Sequence, residues 1–188
     1  MEKSFLIKKI FNEYFVHHSY IENDRIMLRL YNPDEDEIYS KYSPEDWNMI
    51  FYNVDEKSFK EMGRQFIDRV ILVAIDKNDD NPFGFICIQE SHDIPMEVCF
   101  HGGTWRHDTK SILLEYNATD CILQFMLDKN FNIKTTCYIS NIKADRFLKS
   151  LGLVEYKVDE KLSYKYLDIS LFKSNIIRNR RGVNGIIS

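Results

Sequence analysis

The stretch MEVCFHGGTWRHDTKSILLEY, residues 96–116, decides how this chain folds. Residues 96–103 are a short apolar run that reads as a strand, and from Thr109 the pattern becomes that of a long helix reaching about Lys129. In that helix Ile112, Leu113, Tyr116, Leu123, Phe125, Met126 and Leu127 supply a broad apolar face. A helix that begins directly after a strand presents unpaired backbone N–H groups and the positive end of its dipole, an arrangement suited to a phosphate group. The turn itself, RHDTKS, lacks the glycines that let a backbone cradle a phosphate closely. Because Thr109 is β-branched and reaches positive φ only with strain, the chain must either be helical from Thr109 or pass the site at a distance. Ordinary N-capping by Asp108 or Thr109 is the plainer use of these residues.

Upstream, VILVAID (70–76) and FGFICIQES (83–91) are strands separated by KNDDNP (77–82), a turn-rich connector that suits a hairpin. Earlier still, RIMLRLYN is a strand closed by Asn32-Pro33, and residues 33–68 read as one or two polar-faced helices broken near Pro44. The opening EKSFLIKKIFNEYFVHHS spaces Phe5 or Leu6, Ile7, Ile10, Phe11, Tyr14 and Phe15 as an amphipathic helix. Such a helix packs on its own domain, on a protein partner or on a membrane surface. Downstream, NIKTTCYIS (132–140) is a strand and NIKADRFLKSLG (141–152) a helix closed by Gly152. LVEYKV and SYKYLDISLF then form a hairpin about residues 159–161.

This order predicts an α/β (α+β) domain with a central mixed, twisted sheet of six to seven strands flanked by helices. The strand at 133–140 should lie parallel beside residues 96–102, with the long helix as the crossover that parallel strands require. We divide the chain into an N-terminal amphipathic helix (1–20), one domain (21–172) and a basic, flexible tail (173–188).

With 188 residues, 44% of them hydrophobic, the chain is long enough for one domain with a sizeable core. A net charge of −4 argues against a general nucleic-acid binder, whose affinity rests on neutralising phosphates. Cys87, Cys99, Cys121 and Cys137 lack C-x-x-C spacing and read as buried free thiols. His17 and His18 point in different directions on a helix, so no metal is inferred. No apolar run is long enough for a transmembrane segment, and the start lacks a signal-peptide layout, which points to a cytoplasm, of a cell or of an infected cell.

From Asn141, NIKADRFLKSLGL resembles the segment Asn-x-x-Ser/Ala-x-Arg-x-Leu-x-x-Leu-Gly-Phe of the GNAT acetyltransferases, with Asn141, Ala144, Arg146, Leu148, Leu151 and Gly152 in step and Leu153 in place of Phe. Leu148 is similar to the subgroup of ribosomal-protein N-terminal acetyltransferases; other subgroups carry a Tyr there that protonates the departing thiolate. The family's phosphate turn reads Gln/Arg-x-x-Gly-x-Gly/Ala, against Arg106-x-x-Thr109-x-Ser111 here. The resemblance covers roughly residues 26–172 and implies direct acetyl transfer from acetyl-CoA to an amine, a protein N-terminus or a small amine, with no metal.

It further implies that the backbone of Val98, Cys99 and Phe100 holds the pantetheine arm and the thioester carbonyl, that Asn141 contacts the arm, and that Arg106, Thr109, Lys110 and Ser111 face the pyrophosphate. Glu97 and His101 share one strand parity, opposite to Val98, and are candidates for the base; each is also an ordinary strand residue. Tyr138 is the remaining phenol for protonating the thiolate, or a packed sheet aromatic. A second functional reading is a non-catalytic GNAT-like phage protein, acting in head assembly or inside the virion, whose N-terminal helix and basic tail bind protein partners.

Overall fold

The computed structural model describes residues 5–51, 54–65, 67–105 and 109–175. The chain runs α1 (Ile7–His17), β1 (Ile21–Glu22), β2 (Ile26–Leu30), α2 (Pro44–Ile50), α3 (Glu56–Gln65), β3 (Arg69–Asp76), β4 (Asn81–Glu90), β5 (Glu97–Thr104), α4 (Thr109–Asp128), β6 (Asn132–Tyr138), α5 (Ile142–Ser150), β7 (Leu153–Val158) and β8 (Leu162–Leu167). It closes with a helix, α6, at residues 169–175.

The unbroken apolar run of β3 marks a strand covered on both faces. Val70, Leu72 and Ala74 enter one core with α1, α4 and α5, while Ile71, Val73 and Ile75 enter a second core with Trp47 and Phe59 of α2 and α3. The strands form one sheet in the order β1-β2-β3-β4-β5-β6-β8-β7. Its neighbours are antiparallel except β5 and β6, which are parallel, and α4 is the crossover between them. The sheet thus has eight strands rather than six or seven. The addition is β1, a two-residue strand paired with β2 and too short to carry a periodic signal.

The N-terminal helix belongs to the domain. Ile7 and Phe11 are fully buried, and the Phe11 ring lies 5.0 Å from that of Phe125 on α4. The start of α1 is fixed by Glu90, whose Oε2 accepts from the amides of Leu6 and Ile7 at 2.7 Å each. A buried carboxylate there meets two of the orphan donors of the first turn and the positive end of the dipole.

Pro44 starts a helix rather than breaking one. Ser43 caps α2 through the Asp46 amide, with Pro44 in its first turn. Before it, the chain is held by Asp36, which accepts from the Asn32 amide and from Arg29, and it makes only a 3-10 turn at Tyr39–Lys41. At the other end, the strand expected to run to Phe172 stops at Leu167. Asp168 Oδ1 accepts from the amides of Ser170 and Leu171, which turns the chain into α6 and buries Phe172. The tail reading therefore overlaps a helix at 173–175, and residues 176–188 lie outside the described residues.

α5 is pinned to the sheet by a buried cation. Lys165 Nζ lies 2.7 Å from Asp145 Oδ1 and donates to Ser163 Oγ at 2.7 Å. Asn141 Oδ1 caps α5 through the Ala144 amide at 3.0 Å, and Gly152, at φ 93°, takes the left-handed turn after its last residue.

Candidate functional site

β5 and β6 pair only where Glu97, Val98 and Cys99 face Asn132, Ile133 and Lys134. Beyond that β5 stays on β4 as far as Thr104, while β6 stays on β8 as far as Tyr138, so the two parallel strands part in the middle of the sheet. The alternation of β5 is fixed at both ends. Ser91 N–H donates to Glu97 O, Asn132 N–H to Met96 O and Trp105 N–H to Phe83 O. Odd-numbered residues of β5 therefore bond β4, and the backbones of Val98, Phe100 and Gly102 point toward β6. Val98 is used by the short ladder, and Phe100 O accepts from Thr135 Oγ1 at 2.7 Å. Past that bond, the Gly102 backbone faces the opening. A Cβ on Gly102, whose φ is 153°, would stand 2.2 Å from Phe85 O, so glycine is what lets β4 and β5 close together here.

α4 starts just beyond, and it is helical from Thr109, the first of the two alternatives for this turn. Ser111 is buried on its inward face. Lys110 Nζ lies 2.7 Å from Oδ2 of the buried Asp76. Burial opposes ionisation of Asp76, but the bonds from Lys110 and Asn78 outweigh it and hold the carboxyl below its usual range. Lys110 is thus tied to the end of β3. Arg106, expected at the phosphate, lies outside the described residues, as does Asp108.

Glu97, Cys99 and His101 share the face opposite Val98 and Phe100, as their parity predicts. Glu97 Oε2 pairs with Lys134 Nζ at 2.6 Å. The His101 ring packs against Phe51, with Nε2 3.4 Å from Cys99 Sγ. Burial, then the Arg69 charge, pushes the His101 pKa down to about 4, so the ring is neutral at pH 7. Burial pushes the Cys99 thiol up to about 11. Tyr138 ends β6, with its carbonyl accepting from the Asn141 amide. The structure joins neither Glu97 nor His101 to Tyr138 by a hydrogen bond among the described residues, and Asn141 directs its side-chain oxygen to the α5 cap.

Solved structures share this fold. One is described as the apo form of FdhC, a nucleotide-linked sugar GNAT. It is 18% identical, with a TM-score of 0.69 over 86% of this chain and 97% of that one. This chain has the GNAT fold. Spermidine N-acetyltransferase from Vibrio cholerae, solved in complex with CoA and spermine, is 17% identical, with a TM-score of 0.65 over 80% of this chain and 99% of that one. A GNAT-family acetyltransferase from Bacillus anthracis is 12% identical, with a TM-score of 0.64 over 79% and 97%. No family model and no curated protein sequence matches the chain.

The inward face of the GNAT crossover helix differs in part from the expected one: Ile112 and Leu113 are exposed, and the buried residues are Ser111, Leu114, Ala118, Thr119, Ile122, Leu123 and Met126, with Tyr116, Phe125 and Leu127 packed against the core as expected. Glu115 sits within that stripe, beside a cavity of about 40 Å³ lined also by Phe100, Gly102, Gly103, Ala118 and Phe147. Burial pushes its carboxyl up to about 7. α5 closes the far wall, with Phe147 stacked edge-on against Tyr116 and the Tyr116 hydroxyl bonded to Ser150. A sequence signal for Glu115 exists: it is four residues after Ser111 and three before Ala118, a small-residue stripe on one helical face. Among the described residues no group of three or more His, Cys, Asp and Glu is placed to hold a metal ion, and no helix is long and apolar enough to cross a membrane.

Proposed function

We propose that the protein is an N-acyltransferase that moves an acetyl group directly from acetyl-CoA to an amine. The supporting observation is the split between β5 and β6, which beyond the Phe100–Thr135 bond leaves strand backbone at Gly102 open to an amide-bearing arm and leads into the N-terminus of α4. A strand edge with unused donors and acceptors is a template for another extended chain, and pantetheine with its two amides is such a chain. Of the residues first assigned to the arm, Val98, Cys99 and Phe100 hold the base of the split, and Gly102 just beyond them is the strand backbone offered to the arm. The pyrophosphate would meet the first N–H groups of α4 around Thr109 and Ser111, with Arg106 as its cation.

In the transfer the amine nitrogen attacks the thioester carbon, the C–S bond breaks, the amine loses a proton and the thiolate gains one. His101, neutral at pH 7 and on the face opposite the crossover helix, is the group suited to accept the amine proton. Glu97, paired with Lys134, sets the charge of that face. Tyr138 at the end of β6 supplies a phenolic proton for the thiolate. The acceptor is a protein N-terminus or a small amine, the proteins named above for spermidine and for a nucleotide-linked sugar showing how widely GNAT acceptors vary. The test is thiol release from acetyl-CoA across a panel of small amines and N-terminal peptides. Activity on at least one amine, lost in His101→Ala with the fold intact, supports the reading; binding without turnover on any amine contradicts it.

A further inference from the structure

The crossover helix carries an ionisable group that the proposed chemistry does not use. Glu115 is on the face of α4 that meets the sheet, in line with Ser111, Ala118 and Ile122, and its Oε1 is 3.8 Å from where a Cβ on Gly103 would stand. The carboxyl therefore lies over the two glycines at the end of β5, beside the open Gly102 backbone. The cavity wall is mostly apolar, with Phe83, Phe100, Ala118 and Phe147, and Thr119 and His101 also contribute to it. Among the described residues nothing donates a hydrogen bond to Glu115.

We propose that Glu115 in its neutral form recognises the amide-bearing arm of the cosubstrate, so that filling the cleft is coupled to uptake of one proton. The inference rests on reading the split as the acyl-CoA site.

Among the described residues, the groups facing this carboxyl from each packed element give it no cation. From α4 itself, Lys110 is engaged with Asp76. From β5, His101 is neutral and turned to the opposite face, and across Gly103 the Tyr42 hydroxyl donates to the Gly103 carbonyl at 2.6 Å. From α5 the facing side chain is Phe147, while Asp145 pairs with Lys149 and Lys165. The cavity walls contributed by β3 and β4 are Ala74 and residues 83–86, none of them ionisable. An arm that enters such a cavity removes the remaining water and brings phosphates nearby, and both favour the uncharged carboxyl. In that form Glu115 is a hydrogen-bond donor, and the carbonyl oxygens of the arm are acceptors. Already in the free protein burial holds its pKa at about 7, where the two forms are evenly populated at neutral pH.

Titration calorimetry of the full-length protein with acetyl-CoA tests this. If only the neutral form binds, the association constant falls roughly 50-fold between pH 7 and pH 9, and binding at pH 8 takes up about 0.9 proton, read from the difference between phosphate and Tris buffers. Glu115→Gln, which keeps the shape and a donor, binds with less than about threefold change over the same range and without that uptake. Proton uptake is measured on the unaltered protein, so it stands even if the variant misfolds. Wild-type binding that takes up no proton, or that shares the variant's pH dependence, overturns the role of Glu115. A folded protein that binds no acetyl-CoA at any of these pH values overturns the acyl-CoA reading itself and the inference with it.

Discussion

Gly102→Ala should be among the most damaging single-atom additions in this protein. The new Cβ would sit 2.2 Å from Phe85 O, 3.0 Å from Ile86 Cα and 3.1 Å from Phe85 C, all backbone atoms of the paired strand. None of these can rotate away, so β4 and β5 must separate or the residue must leave its φ of 153°, where an L side chain is strained. Overpacking against a rigid neighbour and a residue forced into a sparsely populated φ each cost about 1–3 kcal/mol, so a loss of about 2–6 kcal/mol is expected. The control is Gly103→Ala, one residue on. Its Cβ would meet only Glu115 Oε1, at an ordinary contact distance of 3.8 Å, and it should cost less than about 1 kcal/mol. Urea denaturation of both variants reads the difference directly, as a shift of midpoint at constant slope. Equal stabilities would refute the close approach of β4 and β5 and, with it, the assignment of Gly102 to the open edge.

Glu90→Ala should expose two amides at the buried start of α1 and cost about 1–3 kcal/mol, with faster amide exchange at residues 6 and 7; unchanged exchange would mean that Glu90 does not hold the helix. His101 has a folded pKa of about 4 against 6.5 unfolded, so the unfolded chain binds the proton more tightly. Its contribution is present above pH 6.5 and is lost as pH falls toward 4, by up to about 3 kcal/mol, and NMR titration of the ring checks the pKa. Asn141→Ala should remove the α5 cap, at about 1 kcal/mol of stability whether or not ligand is present; a loss confined to ligand affinity would instead place Asn141 on the arm.

Much of the sheet was legible because its signals are local. The all-apolar β3, the polar connector before β4, and a strand that runs into a long helix each restrict the topology, and the parallel pairing of β5 with β6 follows from the need for a crossover. What escaped depends on contacts distant in sequence. Glu97 and His101 could be put on one face by counting, but whether Phe100 and Gly102 or their neighbours open toward β6 is decided by the bond from Asn132 to Met96. On α4 the start of the face escaped, because its inward stripe uses the small residues Ser111 and Ala118 while the larger Ile112 and Leu113 are exposed; Tyr116, Leu123, Phe125, Met126 and Leu127 do meet the core. The resemblance puts Lys110 at the phosphate; its ion pair with Asp76 could not be read from the sequence, since Asp76 is the last residue of a strand thirty-odd positions earlier. α1 also allowed a docking reading beside packing on the domain, since nothing in its own pattern names Glu90 and Phe125 as the groups that receive it.

The central claim is that acetyl-CoA lies in the split between β5 and β6, and an NMR titration of the backbone amides tests it most directly. Addition of acetyl-CoA should shift the amide signals of Phe100 and Gly102 and those of the first turn of α4, saturating with a single dissociation constant at or below roughly the millimolar range usual for such substrates. The β7–β8 hairpin beyond Lys157 should stay unchanged. A folded protein whose Phe100 and Gly102 amides do not respond to acetyl-CoA, or whose shifts fall elsewhere on the sheet, would contradict the account.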